Sequence, residues 1–70
     1  MQALKINGVE KQFPGGQLPS TIADLLEQLG IKAATVVAEV DGQIVERNKF
    51  AQTKLRNDQS IELVRFVGGG

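Results

Sequence analysis

The sequence predicts an α+β domain, with one main helix packed on one face of a mixed sheet of four or five strands. Three observations carry this. Ile22, Leu25, Leu26 and Leu29 recur at i, i+3, i+4 and i+7, the spacing of a single helix face. Two hairpin signals, Asn7-Gly8 and Asp41-Gly42, each stand between short segments of strand-like alternation. A last apolar run, Ile61 to Val67, lies far along the chain from the first and can pair with it only across the sheet.

The elements follow in order. Leu4 and Ile6 alternate against Lys5 and Asn7, which makes 3–7 a strand, and Asn7-Gly8 suits a type I′ turn because that turn needs positive φ at both central positions. Residues 9–13 return as its partner. There Lys11 shares a face with Val9 and Phe13, which places this strand at an edge or rim. Pro14-Gly15-Gly16 opens a loop that runs to Pro19. Thr21, with Asp24 three residues on, is a helix start resembling a capping box, and Gly30 is the left-handed stop. The helix therefore spans about 21–29, its Asp24, Glu27 and Gln28 turned to water. Val36 to Val40 is a strand, Asp41-Gly42 a turn, and Ile44-Val45 a short partner strand. Phe50 and Leu55 are isolated apolar anchors in a mixed segment, with one helical turn expected around Asn48–Phe50. Asn57 to Ser60 is a turn in which Asn and Asp side chains bond their own backbone. A final strand beside the first, parallel to it, with the helix in the crossover, is the β-grasp or ubiquitin-like arrangement. Residues 1–67 form this domain and 68–70 a glycine tail.

Composition narrows the chemistry. The chain has 70 residues, enough for one small core, and at this size only about 60% of the unfolded chain's surface is buried. Eight Lys and Arg balance eight Asp and Glu, so the basic footprint of a nucleic-acid binder is absent. There is no Cys and no His. The usual zinc sites, Ser-His-Asp catalysis and Cys-His catalysis are thereby excluded within this chain. No carboxylate constellation suggests a metal, and no apolar run is long enough to span a membrane. Without a signal-peptide pattern, a reduced cytoplasmic setting is expected. The protein is not expected to be an enzyme, but something on which enzymes act.

The glycine end carries the chemistry that remains. Gly68, Gly69 and Gly70 could be a plain frayed terminus. Alternatively the carboxylate of Gly70 is itself the reactive group, ionised at neutral pH and able to attack an electrophile such as the α-phosphate of ATP. Gly68 and Gly69, having no Cβ, could thread a narrow channel in a partner. Along the last strand Ile61 and Leu63 suit the helix side, while Val64 and Phe66 fall on the open face. Those two are either packed against neighbours or form an apolar docking patch beside the tail. Arg47, Lys49, Lys54 and Arg56 form a loose basic group, read either as solvated surface or as steering toward an acidic partner.

From end to end the chain resembles the ThiS family, the sulfur carriers of thiamine biosynthesis among the ubiquitin-like sulfur carriers. Four stretches carry the likeness: Leu4-Lys5-Ile6-Asn7-Gly8; the helix from Thr21 to Gly30; Val36 to Val45, with Asp41-Gly42 inside it; and Ile61 to Gly70 with its glycine ending. The segment Pro14 to Pro19 departs from the family, being longer and richer in Gly and Pro. The resemblance implies a β-grasp protein, monomeric when free, that binds no cofactor of its own. It implies an E1-like adenylating enzyme that uses ATP on the Gly70 carboxylate. A sulfur donor such as a cysteine desulfurase would then convert the adenylate to a thiocarboxylate, which would deliver sulfur to thiazole synthase. The small subunit of molybdopterin synthase shares fold and tail chemistry, but tends to be longer and to carry prolines before its glycines. Here Arg65-Phe66-Val67 precede them. A β-grasp interaction module with an inert tail is the alternative from another class.

Overall fold

A computed structural model describes residues 2–13, 15 and 17–65. Its strands are β1 (Gln2–Ile6), β2 (Val9–Phe13), β3 (Val36–Val40), β4 (Gln43–Val45) and β5 (Ser60–Arg65), with one helix, α1 (Ile22–Leu29). They form a five-stranded sheet in the order β2-β1-β5-β3-β4. β5 runs parallel to β1 and antiparallel to β3 in the centre of the sheet, which is the expected β-grasp pairing.

Both hairpins turn as the Asn-Gly and Asp-Gly pairs require. Asn7 and Gly8 have φ of 51° and 81°, and Asp41 and Gly42 have 50° and 86°. Positive φ at both central residues matches the turn to the twist of the flanking strands. β2 is an edge strand in which Phe13 is buried and Val9 exposed, and the Lys11 ammonium lies 5.5 Å from the centre of the Phe13 ring. This resolves the broken alternation: the edge leaves Lys11 room to cover an aromatic face with its charge in water.

The helix is closed at both ends. Thr21 Oγ1 accepts the Asp24 N–H at 3.2 Å, and Gly30 adopts the left-handed conformation at φ 72°. The Ile31 N–H reaches back to the Leu26 carbonyl at 2.9 Å, completing a Schellman closure. Two more free N–H groups of the first turn are met from outside the helix: Ile22 donates to the Thr53 carbonyl and Ala23 to the Phe50 carbonyl, both at 3.1 Å. The mixed segment after β4 thus has a task. It makes a 3-10 turn at Arg47–Lys49, close to the one expected, buries Phe50 and Leu55, and presents its carbonyls to the helix start. A second 3-10 turn, Ala33–Thr35, is not signalled in the sequence; the Thr35 hydroxyl secures it by donating to the Lys32 carbonyl at 2.7 Å.

One core lies between α1 and the sheet: Leu4 and Phe13 from the first hairpin, Ile22, Leu25 and Leu26 from the helix, and Val36, Ala38, Ile61 and Leu63 from the inner strands, with Phe50 and Leu55. Leu29 packs against it, half-buried. Among the described residues no polar or charged residue is buried.

Leu25 and Leu26 are fully buried. Leu25→Ala or Leu26→Ala is expected to cost about 2–5 kcal/mol, a large part of the stability of so small a domain. Urea denaturation measures it; an unchanged midpoint would show that the helix stripe is not the core face.

Candidate functional site

The site is built at the end of β5. Alternation along this strand divides its side chains: Ile61 and Leu63 enter the core, while Glu62 and Val64 face out from the helix-free side of the sheet, Val64 being 56% exposed. Phe66, Gly68, Gly69 and Gly70 lie outside the described residues. Val64 therefore stands as the described member of the expected docking pair, and it is placed on the open face as its position in the alternation requires.

The ladder shows what surrounds it. Val37 of β3 lies directly opposite Val64, and Glu39 opposite both Glu62 and Ile44 of β4. Directly opposite residues share a face. Val64, Val37 and Ile44 thus make an apolar diagonal across three strands, with Glu39 and Glu62 beside it. Ile44, 68% exposed, was not among the expected site residues. Its signal was in the sequence: it has opposite parity to Val45 in a strand whose other face packs inward, so its exposure follows from the turn position.

Past Val45 the two strands of the second hairpin separate, since β4 pairs with β3 only at Ala38, Glu39 and Val40. This leaves a notch of about 390 Å³ lined by Ala34, Val36, Val37, Ile44, Val45, Glu46 and Arg47. Val36 and Val37 are the ladder partners of Arg65 and Val64, so the notch opens at the end of the sheet from which the chain continues to its glycines.

The four basic residues do not form one patch. Arg47 borders this notch, and Lys49 a neighbouring depression with Ile44, Gln52 and Thr53. Lys54 and Arg56 line a different hollow with Gln2, Gln17 and Ser20. Gln2 starts β1, which is parallel to β5, so that hollow lies toward the opposite end of the sheet from the tail. Of the four, Arg47 borders the notch at the end of the sheet where the described part of β5 finishes.

The turn before β5 also differs in detail from the expected self-contained Asx turn. Asn57 Oδ1 accepts the N–H of Ala3 at 2.8 Å, tying the loop to β1 across 54 residues of sequence. Asp58, at φ 69°, donates its N–H to the Ala3 carbonyl at 2.8 Å. Among the described residues no cluster of acidic, His or Cys side chains could hold a metal ion, and no helix is long and apolar enough to cross a membrane.

Similarity to known proteins agrees with this arrangement. The ThiS family model matches residues 4–70, through the last glycine. The chain belongs to the ThiS family. It is 30% identical over 67 residues to the sulfur carrier protein ThiS of Bacillus subtilis, covering 96% of this chain and 98% of that one. It is 34% identical over 67 residues to a thiazole synthase of Paramagnetospirillum magneticum, of which the match spans only 20%. The crystal structure of ThiS from Geobacter metallireducens superposes with a TM-score of 0.80 at 30% identity, over 97% of this chain and 99% of that one. The solution structure of a thiamine biosynthesis protein from the same organism gives 0.77. The chain is thus a sulfur carrier of thiamine biosynthesis by family.

The two faces of β5 should respond oppositely to the same change. Leu63→Ser is expected to cost about 3 kcal/mol or more, through lost burial and a buried hydroxyl. Val64→Ser should cost about 1 kcal/mol or less. Thermal unfolding of both variants checks the assignment; a reversed order would overturn it.

Proposed function

We propose that the carboxylate of Gly70 is the group on which this carrier's chemistry takes place. The observation that carries the reading is the family match through residue 70, in a chain whose last described strand is the central one of the sheet. A strand held on both sides gives a tail a fixed base, and three glycines without Cβ atoms can enter a narrow active site. A chain without Cys or His has neither a thiol nucleophile nor an imidazole base, and a carboxylate at the chain end needs neither.

In this reading an E1-like partner binds ATP and the carrier together. The Gly70 carboxylate attacks the α-phosphate and pyrophosphate leaves, giving an acyl adenylate. A persulfide sulfur from a donor such as a cysteine desulfurase then displaces AMP, and a thiol cleaves the resulting S–S bond to leave a thiocarboxylate. ATP and the sulfur source belong to the partners; the carrier holds no cofactor. Thiazole synthase is the acceptor, a reading supported by the protein of that name that contains a stretch similar to this chain within a fifth of its length. Gly68 and Gly69 thread the partner's channel, while Val64 and Phe66 dock beside it. The diagonal of exposed Val64 and Ile44 with half-buried Val37 between them supports that docking face. Free in solution, the carrier is a monomer.

Deleting Gly69 and Gly70, or adding a residue after Gly70, should abolish ATP–pyrophosphate exchange with the cognate activating enzyme while the circular dichroism spectrum stays that of wild type. Full exchange by the extended protein would overturn the assignment. Intact mass after incubation with ATP, activating enzyme and sulfur donor should show one oxygen replaced by sulfur. Phe66→Ser should weaken binding to the activating enzyme by about 1–3 kcal/mol, the range of an interface anchor.

A further inference from the structure

We propose that Asn7 is a positioning residue for the reactive tail: its side-chain amide stands in for missing strand backbone on the β1 side of β5, and so holds the segment from which the tail leaves. The proposal rests on the carrier reading above.

The argument begins with the direction of the backbone groups. Asp41 donates its N–H to the Ser60 carbonyl at 2.8 Å, so Ser60 faces β3. In an antiparallel ladder alternate residues face the same neighbour, so Glu62 and Val64 also bond toward β3, while Ile61, Leu63 and Arg65 turn their N–H and C=O toward β1. On that side the parallel ladder runs Lys5 N–H to the Gln59 carbonyl at 3.0 Å and Asn7 N–H to the Ile61 carbonyl at 2.8 Å. An unbroken ladder would next join the Leu63 N–H to the Asn7 carbonyl, and the Leu63 carbonyl to the N–H two residues beyond Asn7.

The chain is no longer available for this. At φ 51° Asn7 has already turned away into the hairpin. Its side chain makes both bonds in place of the backbone. The Leu63 N–H donates to Asn7 Oδ1 at 2.7 Å, and Asn7 Nδ2 donates to the Leu63 carbonyl at 3.1 Å. Both lie in a part-buried setting, where losing a partner is costly. β5 is thereby held on both sides as far as Leu63, two residues short of Arg65. A short-chain primary amide does this in a way few residues could, since it carries a donor NH2 beside an acceptor C=O and tolerates positive φ.

The opposite end of β5 supplies a control. Asp41, at the corresponding position of the second hairpin, accepts the Ser60 N–H on Oδ1 at 2.9 Å. It fixes the start of the same strand, away from the tail.

Three variants separate positioning from stability. Asn7→Gly keeps the type I′ turn and deletes the amide. Asn7→Asp keeps the turn and the acceptor but sets an oxygen against the Leu63 carbonyl. Asp41→Gly removes the clamp at the far end. Each is assayed by ATP–pyrophosphate exchange against carrier concentration with the cognate activating enzyme, and by amide hydrogen exchange of the free carrier. In Asn7→Gly the Leu63 amide should exchange about tenfold faster or more. Both Asn7 variants should raise the KM for carrier about 3–10-fold with kcat changed less than about twofold, because ordering the strand end now falls on the binding step. Asp41→Gly should leave KM at the wild-type value. Faster Leu63 exchange with an unchanged KM in the Asn7 variants would make the clamp merely structural and overturn the proposal. So would a rise in KM for Asp41→Gly equal to theirs. Wild-type carrier that supports no exchange would instead overturn the carrier reading itself, and the clamp's purpose with it.

Discussion

The placement of β5 in the centre of the sheet is the constraint on which the rest of the structure depends. Under the end-group chemistry proposed above, the strand that leads to the tail must be held firmly enough that its last residues leave in a fixed direction. Main-chain hydrogen bonds on both sides do this, but they require neighbours of the right length. β3 matches β5 up to Arg65, whereas β1 pairs with it only at Lys5 and Ile6. Asn7 meets the shortfall at Leu63, while Asp41 secures the start of β5 at Ser60 on the β3 side and Asn57 ties the loop before β5 to β1 at Ala3. Each lies in a turn, and Asn7 and Asp41 hold positive φ, so the residue types that suit the turn also supply its bond to the sheet.

The second constraint is the single helix. With one helix on one face, the core draws most of its large side chains from α1 and the inner strands, and the helix must be fixed from outside its own sequence. The segment after β4 does this by lending the carbonyls of Phe50 and Thr53 to the first turn of α1 and its side chains Phe50 and Leu55 to the core. Irregular backbone serves here because the N–H groups it meets point along the helix axis, a direction no further strand of the sheet could supply.

Much of this was legible from local signals. The helix stripe from Ile22 to Leu29, the Thr21 and Gly30 ends, both I′ turns and the parity of Leu63 against Val64 rest on contacts within a few residues or on strict periodicity, and the structure carries each of them. What could not be read depends on partners far apart in sequence. Nothing near Asn57 indicates that its side chain will bond Ala3, and nothing near Asn7 indicates Leu63, because the register of β1 against β5 is set by the whole sheet. The same holds for the basic residues. Arg47, Lys49, Lys54 and Arg56 are close in sequence, yet the segment bends around the helix start and sends them to different depressions.

The open face of the sheet follows from size as much as from function. Among the described residues one helix covers one side of five strands, and no element covers the other. That face must then stay soluble while remaining recognisable. Glu39 and Glu62 sit opposite one another on it, an arrangement that does nothing for sheet stability. Beside them Val64 and Ile44 stay exposed. Charges that disfavour unspecific pairing, next to a small apolar diagonal that reaches the last described residues of β5, suit the docking face proposed above. On the reading proposed above, the carrier's chemistry lies in its end group, and the work left to the fold is to present that group together with a surface by which a partner finds it.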